Sequence, residues 1–466
     1  MTDRYIKFER ELSGPNEVFA PDGEVFPHYR PVLEEMEQIG PEEWDRRVRR
    51  AHERMFKEQR ELGISGEDKT NPIDYVPRVI PAADWEKLER GLIQRMLAIN
   101  EWLRRLEAGE NGVVPEKVIE SSTLYDASIP NRFGDVPNRQ TGFDIVAVEA
   151  DGGWEYLVIE DNAKMPVGIE PMSLMRARTA EILPGSYAAL GIRPLDGLIE
   201  RLGEVLRAAS PKSGPTLTIL STGPEDQYYL DHKVFAREVG AVLAERHEVE
   251  LDGDGFLVHK ESGLRLDIIY ERIESGRIYD DLPGLIEAQV SGKVHAIFAP
   301  NLEIADDKGV YPFIPDMIRA YLGEEPVLNN VETFSLAVEE DRRYVMDHFD
   351  ELVIKSRSGW GGKDVLIAPE ESEEAVEEFR DQVEENPVEY VAQRPLEFST
   401  HVLCEAEGEE LVLRDSHADY RIHALAPDAQ TVEVVPGAMT RVAAPGSRLV
   451  NISSGGKMKD TWILSQ

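Results

Sequence analysis

Two acidic residues and an asparagine flank a short turn in the segment FDIVAVEADGGWEYLVIEDN, residues 143–162. Both halves have the pattern of a strand, and Asp151-Gly152-Gly153 supplies glycine for a tight turn. In a hairpin centred on Gly152, Asp144 faces Glu160 directly, and Asn162 projects from the same face as Glu160. Opposed carboxylates repel each other, and a Mg²⁺ ion shared with phosphate relieves that repulsion. A solvated acidic hairpin face explains the pattern equally well.

A second candidate is the segment ELVIKSRSGWGGKDVLI, residues 351–367. Lys355 ends a strand pattern, and a glycine-rich loop containing Ser358, Gly359, Gly361 and Gly362 precedes the next strand. Backbone N–H groups of such a loop can approach phosphate, and a lysine adds a point charge. The segment lacks the GK[ST] of a Walker loop, and a strand follows it. Taken alone, an ordinary β-hairpin is the more common structure for this pattern.

Weaker signals lie on either side of this loop. Lys308 follows two aspartates in ADDKGVYPF, at the start of a helical pattern. Successive strand patterns near the end of the sequence carry Asp419, Arg421, Arg441 and, before a glycine turn, Asn451. Arginine suits planar, bidentate binding of phosphate or carboxylate, although a surface salt bridge explains either arginine singly. No HExxH zinc motif or GxSxG nucleophile elbow is present in the sequence.

Composition narrows the class of protein. The 466 residues carry a formal charge of −38, which disfavours nonspecific nucleic-acid binding. Only 15 of the 51 basic residues are lysine, and we interpret this acidic, lysine-poor composition as halophilic. The sequence has one cysteine, Cys404, and no apolar run long enough for a membrane span, and MTDRYIKFER has no apolar signal core. These features predict a cytoplasmic protein without a membrane or nucleic-acid partner.

The elements that must position these residues fall into four predicted regions. Residues 1–80 form an N-terminal extension with a helix from Pro41 to Leu62, and residues 81–210 contain an amphipathic helix, Ala82 to Leu106, followed by the hairpin. Residues 211–305 alternate strands with a helix from Leu230 to Glu245, as a small α/β layer does. Residues 306–466 carry the glycine-rich loop and several antiparallel strands. The predicted fold class is α/β, in the mixed α+β sense.

In this order the motifs resemble the circularly permuted, type 2 branch of the ATP-grasp superfamily, with its glutathionylspermidine-synthase-like carboxylate–amine ligases. In an unpermuted ATP-grasp ligase, two lysines, a glycine-rich loop, an adenine hinge, a D-x-R strand, an arginine and an asparagine turn precede the acidic pair. Here the acidic pair comes first, and the other motifs follow in that order. The resemblance begins near residue 70 and includes TNPIDYVPRVIPAADWEKLERGLIQR, VIEDNAKMP and SSGGKMKDTW.

The resemblance implies a circularly permuted ATP-grasp fold, with a pre-ATP-grasp-like substrate domain at residues 211–305 and nucleotide-binding lobes at residues 306–466. It implies an ATP- and Mg²⁺-dependent ligase, with Mn²⁺ as the alternative ion, that joins a small-molecule or peptide carboxylate to an amine. An acyl phosphate would be the intermediate, and ADP would be released. The implied site residues comprise metal ligands (Asp144, Glu160, Asn162), ATP-binding residues (Lys308, Lys355, Ser358, Gly359, Gly361, Gly362, Gln393) and catalytic residues (Arg421, Arg441, Asn451).

Two other functions remain compatible with the same motifs. One is an ATP-dependent phosphotransferase that uses the clamp on a substrate other than a carboxylate. The other is a nucleotide-binding partner protein without catalysis, although the two lysines and the three metal-binding residues are all retained here. Phosphoryl transfer depends on positioning and electrostatic stabilisation more than on a covalent protein group, which agrees with the lack of a nucleophile motif.

Overall fold

A computed structural model describes residues 5–62, 72–151, 153–226, 228–272, 279, 282–359, 365–444, 446–448, 450 and 455–466. Its α-helices are α1 Arg30–Glu61, α2 Ala82–Glu107, α3 Glu116–Glu120, α4 Ile169–Ile182, α5 Pro184–Leu190, α6 Leu198–Arg207, α7 Tyr229–Val239, α8 Leu285–Val290, α9 Ile314–Met317, α10 Glu339–Asp347 and α11 Glu373–Glu385. A π-helical turn, Ile318–Leu322, continues α9. None of the helices in the described ranges is long and apolar enough to cross a membrane.

The strands are β1 Ile6–Glu9, β2 Arg78–Ile80, β3 Gln140–Ala150, β4 Gly153–Asn162, β5 Leu217–Ser221, β6 Val242–Glu245, β7 Val249–Leu251, β8 Leu257–His259, β9 Ile268–Arg272, β10 His295–Ala296, β11 Asn329–Asn330, β12 Thr333–Ser335, β13 Val353–Ser356, β14 Val365–Ile367, β15 Tyr390–Gln393, β16 Thr400–Glu407, β17 Glu410–Leu425, β18 Glu433–Val434, β19 Met439–Val442 and β20 Lys457–Ile463. They form three sheets of four or more strands and one two-stranded ribbon.

The largest sheet has ten strands, and the path β11-β4-β3-β17-β19-β20-β2 runs through it. Its longest strand, β17, pairs with β16 over its first half and lies between β3 and β19 over its second half. β3 and β4 lie within residues 140–162, whereas β17, β19 and β20 lie within residues 410–463. The permuted order of motifs in the sequence therefore becomes one continuous sheet.

Two smaller sheets supply the remaining parts of the architecture. Strands β10-β9-β5-β6 form a parallel sheet, consistent with the α/β alternation in this part of the sequence. Strands β12-β15-β13-β14 form an antiparallel sheet that carries Lys355 on β13 and Gln393 on β15. This second sheet packs around its own core, which includes Phe349, Ile354 and Val383.

The β3–β4 hairpin pairs Asp144 with Glu160, as the sequence predicts, by a different route. Near the turn Ala150 pairs with Gly153, so two residues separate the strands where the sequence suggested three. A bulge at Ile159, between Asp144 and Ile145 on the opposite strand, then shifts the register by one. The bulge restores the predicted pairing at Asp144 and Glu160; the predicted turn centre, Gly152, lies outside the described residues.

Helix α2 matches the predicted amphipathic helix, but two other helices differ from prediction. Helix α1 begins eleven residues before Pro41, because the chain continues through a kink at Gly40, whose φ of 67° suits glycine. The helix predicted to reach Glu245 ends at Val239, because Gly240 adopts the left-handed conformation that terminates helices. The residues after Gly240 instead form β6, the edge strand of the parallel sheet.

Candidate active site

A buried network of two carboxylates and two arginines lies in the middle of the large sheet. Arg421 on β17 is the cross-strand neighbour of Asp144 on β3, and Arg441 on β19 is the neighbour of Asp419 on β17. Arg421 donates two hydrogen bonds to Asp144, at 2.6 and 2.8 Å. Arg441 donates two to Asp419, at 2.8 and 2.7 Å, and a third to Asp144 at 2.9 Å. Adjacent strands therefore bind the four side chains into one network.

Burial and charge act in opposite directions within this network. Burial alone raises the pKa of the Asp144 carboxyl, but Arg421 and Arg441 outweigh it and hold that pKa below its usual value. Asp419 is equally enclosed, and burial raises its pKa despite the contact with Arg441. Asp144 is therefore the carboxylate of the network whose ionised form the two arginines favour.

Glu160 lies beside this network and binds a lysine of a different segment. Its Oε1 atom is 2.8 Å from Nζ of Lys308, and the same Nζ donates to the carbonyl of Gly359 at 2.7 Å. Burial lowers the pKa of Lys308, but Glu160 outweighs burial and raises it above its usual value. The two opposed carboxylates of the hairpin are thus neutralised by protein cations, Asp144 by arginines and Glu160 by lysine. The sequence suggested either a shared Mg²⁺ ion or a solvated acidic face for these two carboxylates, and in the structure protein cations contact both of them.

Lys355 approaches the same acidic residue from the small antiparallel sheet. Its Nζ donates to Oε1 of Gln393 at 2.6 Å, and Nε2 of Gln393 donates to Thr333 at 2.9 Å. Burial lowers the pKa of Lys355 to about 8, an effect that the negative charge of Glu160 opposes and the positive charge of Lys308 reinforces. Both lysines and Glu160 therefore lie within electrostatic reach of one another. The Gln393 side chain orients Lys355, a role that the sequence did not suggest.

A buried ion pair holds the two lysine-bearing segments together. Arg357 donates to both oxygens of Asp307, each at 2.8 Å, and Asp307 also accepts from the backbone N–H of Gly309 at 2.7 Å. A Cβ atom at Gly309 would lie 2.3 Å from Nε of Arg357, so glycine is required for this close approach. Asp307 directly precedes Lys308, and Arg357 follows Lys355 by two residues. Sequence reasoning missed this pair, although both members flank residues that it selected.

Asp306 is a second acidic residue that the sequence did not single out. Its carboxylate accepts hydrogen bonds from the backbone N–H groups of Ala163 and Lys164, directly after β4. Burial raises its pKa to about 7, and the nearby charge of Glu160 contributes in the same direction. Asp306 therefore fixes the end of the acidic strand against the segment that carries Lys308.

Asn162 and Glu160 together fit the donor set that Mg²⁺ prefers. The amide nitrogen of Asn162 is buried and has no hydrogen-bond partner within the described ranges; the amide oxygen is the atom of this side chain that can ligate Mg²⁺. No group of three or more His, Cys, Asp or Glu side chains in the described residues is placed to hold a metal alone. Mg²⁺ in proteins is commonly bound by one or two carboxylate or amide oxygens together with the phosphates of a nucleotide. Asp144 is less available, because its oxygens accept from two arginines.

The remaining predicted residues divide into two groups. Gly359 contacts Lys308, and Ser358 beside it is exposed. Gly361, Gly362 and Asn451 lie outside the described residues. The structure thus brings seven predicted residues together around Glu160, from three separate parts of the chain: Asp144, Glu160, Lys308, Lys355, Gln393, Arg421 and Arg441.

Acids and arginines on a large sheet, approached by Lys355 from a smaller antiparallel sheet and by Lys308 from a segment without strands, are the arrangement that an ATP-grasp fold provides. A solved structure supports this class of fold: a glutathione synthetase-like effector from Globodera pallida superposes with a TM-score of 0.60 at 9% sequence identity, over 96% of this chain and 100% of the other. The model of a protein family described as "Circularly permuted ATP-grasp type 2" matches residues 77–443 of this chain. The chain belongs to this family.

Sequence relatives extend beyond the matched range. A protein of Synechocystis sp. is 32% identical, and the alignment covers 96% of both chains. A protein of Frankia alni is 33% identical, and the alignment covers 98% of this chain and 55% of the Frankia protein. The name printed for that protein is "Putative glutamate–cysteine ligase 2-3". The chain therefore spans little more than half of the Frankia protein. Because these alignments leave at most 4% of this chain uncovered, most of the N-terminal region is shared with relatives.

Proposed function

We propose that the protein is an ATP- and Mg²⁺-dependent carboxylate–amine ligase that acts through an acyl phosphate and releases ADP. The observation that carries this proposal is the contact of Glu160 with Lys308. Lys355 lies within electrostatic reach of Glu160, and Arg421 lies on β17, beside the strand that pairs with that of Glu160. Acidic and basic groups meet there from two sheets, as binding of a metal–triphosphate requires. The family and the name of the Frankia relative support a ligase.

Each side chain has a role that follows from its position. Lys308 and Lys355 would bind the phosphates that ADP retains, and the Ser358–Gly362 segment would cover the phosphate that is transferred. Gln393 would lie near the adenine while it orients Lys355. Glu160 and Asn162, with Asp144 behind them, would hold Mg²⁺, which neutralises charge on the transferring phosphate. Arg421, Arg441 and Asn451 would stabilise charge that develops on the phosphoryl oxygens.

The reaction needs no covalent enzyme intermediate. A substrate carboxylate oxygen attacks the γ-phosphorus, and the bond between that phosphorus and ADP breaks. The lone pair of an amine then attacks the acyl carbon, and inorganic phosphate departs as the amine loses a proton. The protein accelerates both steps by holding the reactants in position and by excluding water.

The proposal is tested by the dependence of ADP formation on two substrates. The purified chain is incubated with ATP, Mg²⁺ and mixtures of the twenty amino acids, their dipeptides and simple primary amines, at low and at molar KCl. We expect ADP and phosphate in equal amounts, with both a carboxylate and an amine required. ADP formation without an amine, accompanied by a phosphorylated product, would instead establish a phosphotransferase. ATP binding without turnover on any mixture would indicate a non-catalytic nucleotide-binding protein.

A lysine variant separates the ATP site from general effects on folding. Lys355→Met should weaken ATP binding by roughly 1.5–3 kcal/mol, because one hydrogen bond to a charged group is lost. Its effect on turnover should be larger, because phosphate charge is redistributed in the transition state. Lys87→Met, at an exposed position on α2, is the matched control and should leave both quantities unchanged.

A further inference from the structure

A buried arginine joins the small antiparallel sheet to the rest of the molecule. Arg357 directly follows β13, and only 3% of the residue is exposed. Its Nε and Nη2 atoms donate to the two oxygens of Asp307, each at 2.8 Å. The other three N–H groups donate to Oγ of Ser121 at 2.9 Å, to the carbonyl of Val118 at 2.7 Å and to that of Val388 at 2.8 Å. All five N–H groups of the guanidinium are therefore bonded within the protein, and none remains for a ligand.

The acceptors of this arginine come from three parts of the chain. Val388 lies two residues before β15, which belongs to the small sheet. The acceptors at α3 lie outside that sheet, and so does Asp307. The backbone repeats the connection, because the N–H of Lys308 donates to the carbonyl of Arg357 at 3.4 Å. Arg357 therefore ties the strand that carries one lysine to the segment that carries the other.

The segment that carries Lys308 is itself anchored to the large sheet. The hydroxyl of Tyr311 donates to the carbonyl of Val158 on β4. The same hydroxyl accepts from the backbone N–H of Val331, which follows β11 of the large sheet, at 2.8 Å. Lys308 thus has a fixed place relative to the large sheet, whereas Lys355 belongs to β13 of the small sheet.

The contact between the two segments leaves no spare room. The N–H of Gly309 donates to Asp307 at 2.7 Å, and a Cβ atom at Gly309 would lie 2.3 Å from Nε and 2.6 Å from Cζ of Arg357. The guanidinium could not yield to such an atom without breaking some of its five hydrogen bonds. The Arg357–Asp307 pair therefore allows one distance between the two segments.

Stability alone does not account for the Arg357–Asp307 pair. Taking two charges out of water is costly, and replacing a buried ion pair by apolar residues of similar volume is often neutral for folding. The pair does provide a fixed orientation, because a planar guanidinium and a carboxylate bond in a defined geometry. That orientation affects the nucleotide site, because Lys308 directly follows Asp307 and Lys355 precedes Arg357 by two residues.

We propose that Arg357 and Asp307 are positioning residues of the nucleotide site. The pair holds Lys308 and Lys355 at the separation at which both ammonium groups reach one diphosphate. The site therefore favours nucleotides that carry a β-phosphate over AMP. This inference rests on the proposed function for the assignment of the two lysines to phosphates. It goes further by naming the residues that make the lysines act together and the discrimination between nucleotides that results.

The discrimination follows from the order that the pair imposes before a nucleotide binds. Two cations already held at the right separation bind a diphosphate without the entropic cost of ordering two segments of chain. AMP has no β-phosphate and cannot contact both ammonium groups, so it gains less from the fixed separation. Loss of the pair should therefore weaken binding of ADP more than binding of AMP.

Calorimetric titration of the full chain with ADP and with AMP, each in the presence of Mg²⁺, tests the positioning role. The wild type should bind ADP at least tenfold more tightly than AMP. Arg357→Lys keeps the charge but offers three N–H groups in place of five and lacks the planar fork that bonds both carboxylate oxygens. It should lower the affinity for ADP at least tenfold and leave the affinity for AMP nearly unchanged.

A second variant disturbs the pair without removing a charge or a hydrogen-bonding group. Gly309→Ala places a methyl group against the guanidinium of Arg357 and should reproduce the selective loss of ADP affinity. Gly112→Ala is the matched control, because a Cβ atom there meets no atom of a non-adjacent described residue within 4 Å. The control should bind both nucleotides like the wild type. Gly309→Ala decides the question if Arg357→Lys does not fold.

Arg176→Lys separates the positioning role from a general loss of stability. Arg176 is a comparably buried arginine that donates to both oxygens of Asp460, at 3.1 and 2.8 Å, and it lies outside the residues assigned to the reaction. This variant should lose stability in thermal denaturation as Arg357→Lys does, and it should keep both nucleotide affinities.

The outcomes distinguish the positioning role from the proposed ligase. Equal losses for ADP and AMP in Arg357→Lys, or unchanged ADP affinity in either folded variant, would overturn the positioning role and leave the ligase intact. A selective loss of ADP affinity in both variants, together with no ADP formation from ATP in any substrate mixture, would retain the positioning role and contradict the ligase. A wild type that binds neither nucleotide would overturn both.

Discussion

Two clusters of this protein are built from the same residue types, arginines and carboxylates, but only in one of them are the charges paired by hydrogen bonds among the described residues. Around Asp144, two carboxylates and two arginines are joined by five hydrogen bonds of 2.6–2.9 Å. Around Arg272, the carboxylates of Glu170 and Asp231 interact electrostatically with the guanidinium but form no direct ion pair with it among the described residues. The first cluster is built from facing positions on adjacent strands, where the ladder fixes the distances. The second cluster combines the last residue of β9 with residues in the first turns of α4 and α7, and no strand ladder fixes the distances between these side chains.

The comparison also separates two relations between charge and stability. Because the arginines lower the pKa of Asp144, that carboxylate stabilises the fold above its usual pKa, and the contribution is lost as the pH falls. Because burial raises the pKa of Asp231, its ionised form destabilises the fold, and stability declines as the pH rises. A cluster whose charges are paired contributes to folding, whereas one whose carboxylates are buried without a partner reduces stability.

The largest expected effect comes from breaking the satisfied cluster. Asp144→Asn removes the charge that compensates Arg421 and Arg441 in a buried position, so the free energy of unfolding should fall by about 3–5 kcal/mol. Urea denaturation followed by circular dichroism measures the change. Asp161→Asn is the control, because Asp161 forms a comparable buried pair with Arg95 on the opposite face of β4. Both variants should lose similar stability, but only Asp144→Asn should abolish ADP formation in folded protein.

The two clusters also differ in how far the sequence predicts them. The alternation of side chains along a strand predicts that Asp144 faces Glu160. The actual turn is one residue shorter than predicted, and the bulge at Ile159 adds one residue back, so the predicted pairing is kept. The pairing of Asp144 with Arg421 joins residues 277 positions apart and requires β17 to lie beside β3, which local patterns do not specify. The family resemblance supplied that order of motifs. No local pattern in residues 268–272 predicts that Nη2 of Arg272 has no hydrogen-bond partner among the described residues, because this depends on packing.

Removing the charge of Glu160 should have an intermediate effect. Glu160→Gln leaves the largely buried ammonium of Lys308 without its carboxylate, so we expect a loss of roughly 1–3 kcal/mol in the free energy of unfolding. Relief of repulsion should not offset this loss, because arginines already compensate Asp144 and Lys308 compensates Glu160. Mg²⁺-dependent ADP formation should collapse in the same variant. Glu155→Gln, at an exposed position on the same strand, should alter neither quantity; an unchanged Mg²⁺ dependence in Glu160→Gln would remove Glu160 from the metal site.

The pH dependence of stability should reveal the unsatisfied cluster. The pKa of Asp231 rises from 3.8 to about 8 on folding, so the folded state binds more protons than the unfolded state across that range. Unfolding free energy should therefore fall as the pH rises from about 4 to about 8, by at most about 1.4 kcal/mol per pH unit for this group. Asp231→Asn should flatten this part of the profile in chemical denaturation at several pH values. An unchanged profile would show that Asp231 is paired in solution.

The smallest effect, and the sharpest contrast with Asp144, is expected for Glu170→Gln. Burial raises the pKa of Glu170, so at pH 7.5 its ionised form is disfavoured in the fold, and a neutral amide of the same shape removes that penalty. Arg272 loses a nearby negative charge but no hydrogen bond, so the two changes oppose each other. We expect the free energy of unfolding to stay within about 1 kcal/mol of the wild type, or to rise slightly, while Asp144→Asn loses several times that amount. A loss equal to that of Asp144→Asn would mean that Glu170 and Arg272 form a structural ion pair in solution. The charges of the second cluster would then be paired within the protein, as those around Asp144 are.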